Sequence, residues 1–104
     1  MGATKKEKEL DLNVFVRDKG ICYYCGQDLH STYSLWGSAT LDHVNPDGKT
    51  EEQNLVLCCR SCNQLLGKRA PIVKKERKEF ALRKIREDWH NYERYLQCLK
   101  EAET

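Results

Sequence analysis

No apolar run in these 104 residues is long enough to cross a membrane or to form the core of a secretory leader. The expectation is a soluble, cytoplasmic protein with no membrane partner. Internal repeats, low-complexity tracts and Gly/Ser linkers are missing as well, so residues 1–104 read as a single domain. Apolar material is itself scarce, with 33% of residues charged and a mean hydropathy of −0.77. A core this modest calls for a second source of stability. Nothing resembling a dedicated base-reading module is present.

What the chain does have is cysteine, at positions 22, 25, 58, 59, 62 and 98. Without a secretory leader, such a set is expected to bind metal or stay as free thiols rather than form disulfides. Cys22-x2-Cys25 and Cys59-x2-Cys62 are two paired-thiolate turns separated by a long segment. A two-residue gap lets both sulfurs of a turn point at one ion, and two such turns complete a tetrahedron with no open position. The expectation is therefore a structural zinc ion on Cys22, Cys25, Cys59 and Cys62. The competing readings are a redox pair at Cys22 and Cys25, and a shift in which Cys58 replaces Cys59; only Cys59 keeps the x2 spacing with Cys62. Cys58 then belongs to a strand as a small apolar residue, and Cys98 to a helix, both as free thiols.

Charge is unevenly spread. Between Lys68 and Arg86 nine basic residues stand against Glu76 and Glu79, a local excess of seven positive charges; with +2 overall, the rest of the chain carries −5. Such an excess suits a polyanion-binding face, with Lys68, Arg69, Lys74, Lys75, Arg77 and Lys78 as candidate phosphate contacts. The plainer alternative is a solvated helix face. Phosphate contacts alone imply strong salt dependence and little sequence specificity.

Local patterns suggest how these residues are carried. Thr4 to Lys19 reads as an amphipathic helix, with a capping box from Thr4 and Glu7 and a stop at Gly20, preceded by a frayed segment 1–4. Gly26 can take the positive φ of the first cysteine turn. Residues 27–39 read as a polar loop. Residues 40–44 and 55–58 read as strands of one hairpin around the Asn45-Pro46-Asp47-Gly48 turn, with a short helix to about Lys68 after them. A long helix is expected over about 71–99, because Leu82, Ile85, Trp89, Tyr92, Leu96 and Leu99 recur at steps of three and four; that stripe is read as core. His30 and His90 have no chemical context and are read as surface or packing residues.

Between the cysteine pairs lies Leu41-Asp42-His43-Val44-Asn45-Pro46, and after it Asn54-Leu55-Val56-Leu57-Cys58-Cys59-Arg60-Ser61-Cys62-Asn63. Together with Val16-Arg17-Asp18 ahead of the first pair, this order resembles the HNH endonuclease family in its four-cysteine, zinc-containing branch, over about Val14 to Lys68. The fold implied is α+β: a small ββα-metal, treble-clef-like core over about 14–69, stapled by zinc and flanked by an N-terminal helix and a long C-terminal one. The function implied is a metal-dependent endonuclease hydrolysing phosphodiester bonds, with DNA as the expected partner and 5′-phosphate and 3′-hydroxyl products. His43 would be the general base, since imidazole titrates near neutrality. Asp42 and Asn63 offer a carboxylate and an amide oxygen, a set that suits magnesium or manganese. Neighbours on a strand point to opposite faces, so bringing Asp42 to a shared ion requires a twisted hairpin. Asn54 matches the middle asparagine and would hold the hairpin loop that orients His43. One departure concerns the lysine that many family members carry soon after the Cys-Asn step; here Gln64-Leu65-Leu66-Gly67 intervenes before Lys68 and Arg69. The alternative is a non-catalytic, zinc-ribbon-like module for nucleic-acid or protein binding, which explains the cysteines but leaves Asp42, His43 and Asn63 as coincidences. A protein partner from a restriction, phage or mobile-element system is also compatible with a chain that has no specificity domain, and the oligomeric state stays open.

Overall fold

A computed structural model describes residues 5–103. The capping box expected of Thr4 and Glu7, and the fraying expected of 1–4, fall outside the described residues and side chains. Helix α1 (Lys5–Arg17) buries Val14 and ends where Lys19 and Gly20 both take positive φ, 58° and 64°. Gly20 is needed there twice over, because a Cβ would also meet the His30 ring at 2.7 Å. The end of α1 is tied to the 52–57 segment by side-chain hydrogen bonds. Arg17 donates to the Glu52 and Leu55 carbonyls at 2.7 and 2.5 Å, and Asp18 Oδ2 accepts the Leu57 amide at 2.8 Å.

The first cysteine turn is closed by Gly26 N–H to the Cys22 carbonyl, 3.0 Å, with Gly26 at φ +79°. Tyr23 N–H donates to the Leu57 carbonyl at 2.8 Å, which seats the turn beside the hairpin. Residues 27–39 are not all loop: helix α2 (Tyr33–Ser38) forms within them, capped by Thr32 Oγ1 accepting from Leu35 N–H at 3.1 Å. Six residues are too few to show a helical period, and α2 buries no side chain, so only its cap marks it.

Strands β1 (Thr40–His43) and β2 (Leu55–Cys58) form an antiparallel pair with Asp42 opposite Val56 and His43 opposite Leu55. A 3₁₀ turn, Glu52–Asn54, leads into β2, whose four residues are all buried. Helix α3 (Arg60–Leu66) begins directly after β2, capped by the Cys59 sulfur, and stops at Gly67, φ +58°. The core is assembled around the cysteines from Tyr24, Leu29, Val56, Leu57, Leu66 and Ala81.

Helix α4 (Lys74–Glu103) starts three residues later than the sequence pattern suggests, with Arg77 N–H bonding the Val73 carbonyl, and runs four residues further. It crosses α3 and leaves the core behind. Leu82 and Ile85 are half-buried, but Trp89, Tyr92, Leu96 and Leu99 are exposed, which corrects the reading of the whole stripe as core. Thirty residues make a helix of about 45 Å, longer than the small domain it leans on.

Candidate active site and metal centre

The four cysteines of the two turns converge. The sulfurs of Cys22, Cys25, Cys59 and Cys62 all lie within 4.8 Å of one another, and Cys25 and Cys59 are 3.7 Å apart. A tetrahedral ion with metal–sulfur bonds of about 2.3 Å needs sulfur-to-sulfur edges near 3.8 Å, so this cluster fits a closed, all-thiolate metal site. Local structure explains the convergence: the Gly26 turn aims the first pair, and the start of α3 aims the second, with Cys62 N–H donating to Cys59 Sγ at 3.4 Å. Cys58 is not one of the four, and its thiol, although within reach of Cys22, donates to the Cys59 carbonyl at 3.2 Å. The fourth sulfur of the group is that of Cys59, the cysteine that keeps the x2 spacing with Cys62. Hydrogen bonds from Cys25, Cys58, Cys59 and Cys62 hold the Cys22 thiol far below its usual range, while Cys22 pushes Cys62 up. Four thiols held this close cannot all ionise without a cation between them, which is the setting a metal ion suits.

A cleft of about 840 Å³ is bordered by Asp42, His43, Thr50, Asn63, Lys68 and Arg77. Strand alternation would turn Asp42 and His43 apart, yet both border this cleft, His43 at the strand end and half-buried. His43 Nε2 lies 2.9 Å from Thr50 Oγ1. The loop between the strands is laced by Asn54. Its Oδ1 accepts from Asn45 N–H, and its Nδ2 donates to the Asn45 and Lys49 carbonyls, each at 3.0 Å. Gly48 makes room for that amide, since a Cβ there would stand 2.8 Å from Asn54 Nδ2. Asn63 is exposed on α3.

Asp42 is more heavily engaged than its pattern suggests. It is 6% exposed, and Arg77, 3% exposed, grips it with Nε on Oδ2 at 2.8 Å and Nη2 on Oδ1 at 2.9 Å. The Tyr24 hydroxyl donates to Asp42 Oδ2 and accepts from Arg77 Nε at 2.9 Å. Arg77 also donates to the Pro71 carbonyl at 3.0 Å. Burial and the bond to Asp42 hold the Tyr24 phenol well above its ordinary range. For Arg77, burial opposes the charge but the bonds and charge of Asp42 outweigh it, so the guanidinium is raised.

As donors for a hard divalent ion, Asp42 and Asn63 have the right chemistry and border the same cleft. Asp42 Oδ2 is saturated by two donors, whereas Oδ1 accepts one and keeps a lone pair. The fit is therefore through Oδ1, on a carboxylate whose charge Arg77 already balances.

The expected phosphate contacts divide. Lys68 borders the cleft, and Arg69, Lys75 and Lys78 are exposed, with Lys74 half-buried. Lys78 extends its ammonium over the Tyr23 ring, 5.2 Å from the centroid. Arg77 is a correction: buried against Asp42 and Tyr24, it is not available to a phosphate. The sequence pattern could not separate it from the other cations around it. Tyr24, Thr50 and Gly48 carry no mark of their site roles in the sequence; Tyr24 is hidden in the x2 gap of the first cysteine pair. His30 is exposed beside Asp28, and His90 is exposed on α4.

A two-stranded hairpin and the helix after it, joined by a cysteine cluster able to bind metal, make up a small ββα-metal fold. Residues 22–69, somewhat under half of the chain, match the family model described as HNH endonuclease. No curated protein and no solved structure matches. Among the described residues, no helix is long and apolar enough to cross a membrane.

Proposed function

We propose that this protein is a zinc-stapled HNH endonuclease that hydrolyses phosphodiester bonds in DNA, with His43 as general base. The observation that carries the reading is a single cleft bordered by His43, Asp42, Asn63 and Lys68, within a segment that matches a nuclease family. His43 takes the proton of the attacking water on the ring nitrogen that Thr50 leaves free, a role imidazole can fill near neutral pH. Asn54 keeps the loop, and with it His43, in orientation through its three bonds to backbone. Lys68 offsets phosphate charge at the cleft, and Arg69, Lys74, Lys75 and Lys78 extend the attraction along the start of α4. A magnesium or manganese ion on Asp42 and Asn63, when bound, supplies Lewis-acid stabilisation of the charge that grows on the phosphate. Zinc on Cys22, Cys25, Cys59 and Cys62 has no open position and serves the fold.

The engagement of both Asp42 oxygens by Arg77 and Tyr24, which leaves only one lone pair on Oδ1, favours a second reading, a non-catalytic zinc module that docks on nucleic acid. Purified protein of measured zinc content, incubated with supercoiled plasmid and magnesium or manganese, separates the two. Metal-dependent nicking that disappears in folded His43→Ala is expected. Intact plasmid from folded, zinc-loaded wild type would move the assignment to the binding module.

A further inference from the structure

The distal half of α4 is an amphipathic helix whose apolar face is exposed among the described residues. Trp89 and Tyr92 are each 51% exposed and Leu99 57%, and Trp89 stacks edge-on to Tyr92 at 5.0 Å between ring centroids. The apolar positions Leu82, Ile85, Trp89, Tyr92, Leu96 and Leu99 alternate steps of three and four without a break. That is a strict heptad seam, narrower than the stripe a helix shows to a globular core, and its period of 3.5 residues is the one two supercoiled helices share. Single helices of this length are marginal in water unless an apolar face is covered.

The charges beside the seam say what covers it. In heptad terms Leu82, Trp89 and Leu96 are a positions and Ile85, Tyr92 and Leu99 are d positions, which puts Arg86, Glu93 and Lys100 at e and Asp88 and Tyr95 at g. A second copy laid parallel would set Asp88 against Glu93 of its twin, like charge against like. Laid antiparallel about a two-fold axis between His90 and Asn91, it sets Arg86 against Glu93 twice, and Asp88 against the hydroxyl-bearing Tyr95 twice. The same register stacks Ile85 on Leu96 and Trp89 on Tyr92, each twice. At the foot of the seam, a groove of about 670 Å³ bordered by Leu29, Leu35, Ile85 and Trp89 lies open to receive the end of the incoming helix. We propose that the chain forms a homodimer through an antiparallel two-helix coiled coil of residues 82–99 of α4. The inference is independent of any nuclease activity.

The test is the mass of the full chain in solution, by light scattering or sedimentation equilibrium across a concentration series. Twice the 12.2 kDa chain mass is expected, falling to the monomer for Tyr92→Glu and Leu96→Asp. Both positions are solvent-exposed in the single chain, so unchanged circular dichroism and metal content will accompany the loss. Glu93→Arg tests the direction of the partner helix. It sets like charges together in the antiparallel form and weakens the dimer by roughly five- to ten-fold, and adding Arg86→Glu restores it. In a parallel form Glu93→Arg would instead meet Asp88 and tighten the dimer, which would overturn the antiparallel form. A monomer at every concentration, or a dimer indifferent to Tyr92→Glu and Leu96→Asp, would overturn the proposal altogether.

Discussion

Asp42 and Arg77 are 35 residues apart in sequence and share one buried, doubly bonded ion pair, with Tyr24 closing a triangle around it. A buried pair of this kind gains little over a well-packed apolar pair, but losing one member strands a charge. Arg77→Met is therefore expected to lower stability by about 3–5 kcal/mol, and Tyr24→Phe by about 1–3 kcal/mol, both read from urea midpoints. If Asp42 also takes a divalent ion, manganese will raise the Arg77→Met midpoint more than the wild-type one, because the ion then replaces the missing cation. An equal rise in both proteins would remove Asp42 from the ligand set. Gly48 offers a second test at this scale. Gly48→Ala forces a methyl group against Asn54 Nδ2, so cleavage should fall while zinc content holds. Equal cleavage rates would mean that the Asn54 lacing does not govern His43. The sequence singles out His43, Asn54 and Asn63 because they stand in order between and beside the cysteine pairs, and the structure sets His43 and Asn63 on one cleft with Asn54 in the loop beside it. Arg77 and Tyr24 were not legible in the sequence, because their contact with Asp42 depends on how α4 folds back, which no local spacing encodes.

At the scale of elements, α1 matters through its last turn. Asp18 accepts the Leu57 amide, and Arg17 reaches two carbonyls around the start of β2, so α1 supplies hydrogen-bond partners to the outer edge of a two-stranded sheet. An edge strand left open is both frayed and prone to pairing with other chains. Asp18→Ala strands the Leu57 N–H in a partly buried place, and a loss of about 1–3 kcal/mol is expected, with faster amide exchange at Leu57 than in the wild type. Unchanged exchange at Leu57 would show that the Asp18 bond is dispensable. Elements whose ends carry strong chemical marks were readable: the stop at Gly20, the Asn45–Gly48 turn and the strand 55–58. Helix α2 was not, since a Thr32 cap on six residues is a weak mark. Periodicity found α4 but misjudged its role, because a 3–4 repeat reports that one face is apolar and says nothing about what lies against it. Ile85 touches the core with one edge and Leu82 is half-buried, whereas Trp89 to Leu99, on the same stripe, are exposed.

For the whole molecule, the radius of gyration is 15.5 Å and the extents are 53 × 30 × 20 Å, against about 13 Å for an ordinary compact domain of 100 residues. The excess is the free end of α4, which adds length but no burial to the single chain. Stability must then come from the small region around the cysteines, where Cys22 and Cys62 are buried among Tyr24, Leu29 and Leu57. Two short strands and three small helices bury too little to fold firmly by themselves, and the metal site joins the Cys22–Cys25 turn, α3 and, through them, the hairpin. Removing the metal should therefore unfold the domain rather than merely inactivate it: chelation is expected to abolish the cooperative thermal transition, and zinc to restore it. Acid should act in the same direction, since zinc requires thiolates and their protonation releases it as pH falls. The helical signal of α4 should then drop together with the signal of the core, because α4 is held by its packing on α3 and by Arg77. A metal-free protein that keeps a sharp transition would show that the apolar core suffices, and would reduce the four cysteines to a local clamp.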